Sequence, residues 1–118
     1  MHTLQKGAIG ELAVCKDLIS SGYDIYKPVV DTNHVDLIVE QANGLMKRVQ
    51  IKTVMKAQRS TTISVNTSKY KNSKRVDVVA IYFLPKDIIA YVPYENTHDI
   101  SLALATGKNN QTKGRKWF

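Results

Sequence analysis

Val30-Asp31-Thr32-Asn33-His34-Val35-Asp36-Leu37-Ile38-Val39-Glu40 is followed by Gln41-Ala42-Asn43-Gly44 and then by Leu45-Met46-Lys47-Arg48-Val49-Gln50-Ile51-Lys52-Thr53. Two strand-like runs around an Asn-Gly turn predict a β-hairpin, because that dipeptide tolerates the positive φ angles a tight turn demands. Strand side chains alternate faces. Val35, Leu37 and Val39 therefore share one side, and Asp36, Ile38 and Glu40 the other. In the second run Gln50 and Lys52 project together, away from Val49 and Ile51. An acid on one strand and a Gln-x-Lys on its neighbour can meet in one small volume.

Upstream, apolar residues recur at Leu4, Ala8, Leu12, Cys15 and Ile19, flanked by Ile9, Ala13 and Leu18. This spacing predicts an amphipathic helix over 4–21, ended by Gly22 in the left-handed conformation. Glu11 then lies on the edge of the buried stripe, either as an exposed flank or as a carboxylate with a partner. Tyr23–Val30 carries the strand formers Tyr23, Ile25, Val29 and Val30, with Pro28 marking an edge or a strand end. Downstream, Thr61–Thr67 alternates Ile63 and Val65 with hydroxyl residues, as a strand does. The run 68–75 reads as a basic loop holding Tyr70, which either contacts a nucleic-acid backbone or is merely solvated. Val76–Leu84 is the most apolar run and predicts a buried central strand. Pro85-Lys86-Asp87 turns the chain so that Ile88–Pro93 returns antiparallel. Ile100–Ala105 is a short apolar element of open type, and about 108–118 is a basic tail ending in Trp117 and Phe118. With no repeat and no linker, the 118 residues predict a single domain over 1–118.

The single cysteine, Cys15, excludes an internal disulfide and reads as a buried structural thiol in a reducing compartment. No apolar run reaches the ~20 residues of a membrane span, and Met1–Lys6 lacks a signal-peptide pattern. The expected location is cytoplasmic. The net charge of +7 is unevenly placed: residues 1–45 hold three Lys/Arg against six Asp/Glu, whereas residues 46–118 hold fourteen against four. A basic half of this kind predicts a polyanionic partner, nucleic acid first.

These features suggest phosphodiester hydrolysis assisted by a metal ion. Mg²⁺ prefers carboxylate and carbonyl oxygens and keeps several waters. Asp36 and Glu11 can supply charge, and the Ile51 carbonyl a neutral oxygen. Gln50 can position metal or water, and Lys52 can stabilise charge developing on the phosphate. Lys47, Lys56, Arg59, Lys69, Lys71, Lys74 and Arg75 are the expected phosphate contacts on DNA. His34, a lone loop histidine, is left outside the site.

Helix Glu11, strand Asp36 and strand Gln50-Ile51-Lys52 together resemble the PD-(D/E)xK nuclease superfamily. They are most similar to its Gln-x-Lys branch, which includes a homing endonuclease of cyanobacterial group I introns. The Gly22-Tyr23 step, the Arg48–Thr53 string and the Val76-Asp77 strand carry the likeness over most of residues 4–105. Val35-Asp36 stands for the Pro-Asp of the family's name, and Gln50 replaces its second acid. The resemblance implies an α/β restriction-endonuclease-like core of αβββαβ type, a central mixed sheet flanked by helices. It also implies Mg²⁺-dependent endonuclease activity, with Mn²⁺ as a substitute. Cutting both strands of a duplex with one site per chain implies a homodimer or homotetramer. The rivals are a Holliday-junction resolvase of the same fold, acting on branched DNA, and a non-catalytic DNA-binding module.

Overall fold

The computed structural model describes residues 2–30, 34–57 and 62–104. Arg59, the segment 31–33 and the tail with Trp117 and Phe118 lie outside the described residues.

Helix α1 spans Thr3–Ser20. It ends in a Schellman-type closure, with Gly22 at φ +91° donating to Ile19 O (3.0 Å) and Tyr23 donating to Leu18 O (3.1 Å). Strands β1 (Asp24–Tyr26), β2 (Leu37–Glu40) and β3 (Met46–Val54) follow as an antiparallel meander. Strand β4 spans Thr62–Asn66, and a short 3₁₀ turn Ser68–Tyr70 leads to β5 (Val78–Phe83). After β5, Asp87 in the left-handed conformation reverses the chain into β6 (Ile88–Pro93), and β7 spans Asp99–Ala103.

The main sheet has the order β1-β2-β3-β5-β6, with β3 and β5 parallel and the other pairings antiparallel. This is the restriction-endonuclease-like mixed sheet expected, but among the described residues α1 is the only α-helix: where the αβββαβ order places a second helix, the chain between β3 and β5 carries β4 and a 3₁₀ turn. The period-two readings of 35–40 and 49–52 hold: Val35, Leu37, Val39, Val49 and Ile51 are buried. Strand β5 is buried along its whole length, as a central strand must be. The start of that strand is tied to β3 by Asp77, which accepts the Arg48 backbone N–H at 2.8 Å and its guanidinium at 3.0 and 3.2 Å. Burial pushes the Asp77 carboxyl up, but these Arg48 donors outweigh it and hold it below the usual range.

Each face of the sheet has its own core. On one, Val14 and Leu18 of α1 pack with Leu37, Val39, Val49 and Ala80. On the other, β4 and β7 pair as a separate two-stranded ribbon whose Ile63, Val65 and Ile100 cover Val79, Ile81 and Phe83. The connection between the parallel strands β3 and β5 thus carries a strand and a 3₁₀ turn.

Two further expectations are corrected. The stripe Leu4-Leu12-Ile19 does not face the core: these residues are 82, 70 and 59% exposed, and the buried face is Gly10-Val14-Leu18. The reason is the close approach of helix and sheet at Gly10, whose Cα faces Thr53 and Ile51 of β3. Any larger residue would prop the helix away. The Tyr23–Val30 strand is only three residues long, because Pro28 has no N–H to continue a ladder; Val29 and Val30 are exposed.

Gly10→Ala tests this contact by its sign. Alanine is the better helix former by ~1 kcal/mol, yet a methyl group at position 10 would collide with the Thr53 hydroxyl. Overpacking of that kind costs about 1–3 kcal/mol, so the variant melts below the wild type, and Thr53→Ala in the same chain regains most of the loss. Thermal melts followed by circular dichroism decide; an unchanged or raised Tm for Gly10→Ala would refute the contact.

Candidate active site

Asp36 sits immediately before β2, where that strand parts from β3. Its backbone N–H donates to Val49 O (2.9 Å), and its carboxylate Oδ2 accepts the Ile51 N–H at 2.7 Å. The side chain thus occupies the place where the next ladder acceptor would be. Burial disfavours its charge and raises its pKa; the Ile51 N–H opposes this, Glu11 adds to it, and Lys52 and Lys27 oppose it. Glu11 and Asp36 are therefore close enough for their charges to act on each other.

Glu11 follows the helix contact residue Gly10 and stands at the margin of the helix–sheet interface. Its Oε1 is 3.2 Å from Lys27 Nζ in a partly exposed ion pair. The hydrogen bond and charge of Glu11 raise the Lys27 pKa, and Asp36 contributes in the same direction. Lys27 is a member of this constellation that the sequence did not single out. Cys15, expected to be buried, is half-buried beside it; burial pushes its thiol up, so it stays protonated.

On β3, Gln50 and Lys52 project from the same face as expected. Gln50 Nε2 donates to the Ile51 carbonyl at a long 3.4 Å. Lys52 is half-buried, and loss of water lowers its pKa while Asp36 pulls it back up. Its Nζ lies 5.2 Å from the centroid of the Tyr70 ring. Tyr70 is not a solvated loop residue: it is 2% exposed and meets His34 edge-on at 5.0 Å and Tyr94 at 6.0 Å. Burial, then the charges of Asp36 and Tyr94, push its hydroxyl up to about 12. The ring is a neutral π-face beneath the ammonium, which holds a cation without removing its charge.

A cleft of about 660 Å³ opens beside Lys52, lined by Lys6, Lys52, Lys56, Lys69, Ser64 and Asn66 among others, with no carboxylate in its wall. Of the expected phosphate contacts, Lys56 and Lys69 line it. Lys47 lies toward the other end of β3, and Lys71, Lys74 and Arg75 are elsewhere on the surface. Lys6, on the first turns of α1, is a cleft residue that no local pattern announces.

For a divalent cation, the available donors are all hard oxygens: Asp36 and Glu11 carboxylates, the Ile51 carbonyl and the Gln50 amide. Among the described residues no three of His, Cys, Asp and Glu gather as a ligand cluster. Two acids with neutral oxygens suit an ion that retains water, as Mg²⁺ does, better than a fully caged one. The raised pKa of Asp36 fits the same reading, since a buried carboxylate short of positive charge is what a bound cation relieves.

A family model described as PD-(D/E)XK endonuclease matches residues 1–118. The solved structure of a bacterial homing endonuclease, I-Ssp6803I, is similar with a TM-score of 0.71 at 20% sequence identity, over 88% of this chain and 77% of that one. No curated protein matches the sequence.

In the metal-free protein the charge on Asp36 is a burden. With a raised pKa the folded state binds more protons than the unfolded state between the ordinary carboxylate value and the raised one, so stability falls as pH rises through that window. Asp36→Asn keeps an oxygen for the Ile51 N–H and loses the charge. It melts a few degrees above wild type at neutral pH, and the gap closes as pH falls below the usual carboxylate range. Melts across that pH range check this, and a lower neutral-pH Tm for the variant would contradict it.

Proposed function

Because the chain belongs to the PD-(D/E)XK endonuclease family, we propose that it is a DNA endonuclease of homing-endonuclease-like type that works with Mg²⁺, with Mn²⁺ able to substitute. One observation carries this reading: a half-buried acid, Asp36, acts on a half-buried lysine, Lys52, which itself lines a cleft walled by lysines. The family's nucleases generally use divalent metal ions. Asp36 and Glu11 would hold the ion here, with the Ile51 carbonyl as a neutral ligand. When bound, it supplies Lewis-acid activation of the scissile phosphate.

The protein's own groups do the rest. Lys6, Lys56 and Lys69 bind the phosphate backbone and bring it along the cleft to Lys52. Lys52, held over Tyr70 and short of water, faces the excess negative charge of the phosphate in the transition state, where a desolvated cation counts for most. Gln50 orients the attacking water through its amide. Lys27 pairs with Glu11 and offsets its charge at the rim of the site.

Cleavage of both strands needs two such sites. The exposed apolar residues Leu4, Leu12 and Ile19 along α1 support assembly as a homodimer or homotetramer, since a soluble chain rarely leaves such a row uncovered.

Nicking of supercoiled plasmid in Mg²⁺ tests the chemistry. Lys52→Ala slows it roughly a hundredfold or more, in line with the loss of one charge-stabilising group, and a four-way junction supplied beside a matched duplex is not preferred. Equal rates for wild type and Lys52→Ala would end the catalytic reading, and a preference for the junction would make the chain a resolvase. For assembly, Leu12→Glu converts the oligomer to monomer in sedimentation without changing the melt; a wild-type monomer would exclude self-association.

A further inference from the structure

The β4–β7 ribbon turns Ile63, Val65, Ile100 and Leu102 inward, so the alternate residues form its outer face. Three cross-strand pairs make up that face: Thr62 with Ala103, Ser64 with Ser101, and Asn66 with Asp99. No side chain there is larger than Asn, and only one is charged. This is an unusual surface. Ser, Asn, Asp and Ala are poor strand formers, and exposed edge strands in solution are commonly guarded by lysine. The chain has 17 Lys and Arg, yet none of the six residues of these pairs is one of them. The lysines sit to its side instead, in the cleft where Ser64 and Asn66 meet Lys6, Lys52, Lys56 and Lys69.

The geometry points to duplex DNA, read through its major groove, as the occupant of this face; this rests on the nuclease reading above and extends it to sequence recognition. A two-stranded ribbon fits the major groove, which is about 12 Å wide, and small side chains let its backbone approach the base edges. Three rows of side chains extend about 14 Å at ~3.4 Å per residue, the length of about four base pairs at a rise of 3.4 Å. The polar atoms are also fixed. Asn66 Oδ1 accepts Ser68 N–H and Oγ–H at 2.8 and 2.6 Å, which leaves its Nδ2 as a held donor. Ser64 and Ser101 share one hydrogen bond at 3.3 Å and keep one further hydroxyl hydrogen and their acceptor lone pairs. Asp99 adds a carboxylate acceptor, the group that receives a cytosine amino donor. The charge complementarity is divided to match: lysines of the cleft take the phosphates, and the uncharged face takes the bases.

The experiment is a binding selection on a randomised duplex library, followed by deep sequencing. It uses the full chain carrying Asp36→Asn so that binding is read without cutting. The parent selects a consensus. Ser101→Ala and Asn66→Ala each lose preference at adjacent positions within one block of about four base pairs per half-site. They weaken binding to the consensus duplex roughly tenfold to a hundredfold, the worth of a good base contact, and Ser101→Ala, which lies outside the lysine cleft, leaves binding to random duplex unchanged. Lys56→Ala, by contrast, weakens all sequences alike and lowers the salt slope by about one. Ser101→Ala is a minimal change on an exposed strand, so its result stands even if Asn66→Ala disturbs the Ser68 turn. An unaltered consensus in Ser101→Ala, or no consensus from the parent, overturns the proposal. Failure of the nuclease reading appears separately, as plasmid nicking that is indifferent to Lys52.

Discussion

The hydrogen bond from the Ile51 N–H to the Asp36 carboxylate is the constraint on which the site depends. It forms where β2 leaves β3, so the side-chain oxygen takes over from the backbone as acceptor. One interaction thereby does two things. It satisfies an N–H that would otherwise be orphaned at the end of the ladder, and it fixes the acid beside the two residues, Gln50 and Lys52, that flank the donor. A carboxylate so placed cannot swing into solvent without unmaking the end of the hairpin. Its partial burial, and the raised pKa that follows, are consequences of the register.

The second carboxylate arrives by a contact of a different kind. Gly10 lies against the side chains of Thr53 and Ile51 and brings none of its own. Glu11 is one residue on and a hundred-degree turn around α1, which puts it at the rim of the contact and within reach of Lys27. The close approach at Gly10 therefore sets the distance from helix to β3, and with it the spacing of the two acids. Shape at a buried glycine and electrostatics at an exposed glutamate are linked through the rigidity of a helix.

How much of this was legible depended on the range of the physics involved. The hairpin, the buried β5 and the pairing of β6 follow from alternation and turn chemistry, which are local. So does the end of α1 at Gly22. The buried face of α1 was not legible: its most apolar stripe is exposed, and the deciding residue, Gly10, has no hydropathy to display. Tyr70 read as a loop residue between lysines, since nothing nearby in sequence indicates that His34 and Tyr94 enclose it. Lys6 and Lys27 were lone cations until tertiary structure brought them to the cleft and to Glu11. In each case the missing information was which surface packs, and that is set by complementarity between distant segments.

The same reasoning explains why the second face of the sheet is covered by β-structure and not by a helix. A parallel pair such as β3 and β5 requires a crossover that passes over one face of the sheet. A helix could make that passage alone, because its backbone bonds are internal. A strand cannot, since its unpaired edge demands a partner, and β7 supplies one from beyond β6. The result is a second, small sheet whose inner side completes the core and whose outer side faces away from it. It begins at Thr62, ten residues after Lys52, so one connection carries Lys56, the outer face of β4, Lys69 and Tyr70. The ring that lies against the Lys52 ammonium is thus supplied by the end of the same connection. On the reading proposed above, recognition and chemistry would be mechanically adjacent, because the crossover that the fold requires anyway was built as β-structure.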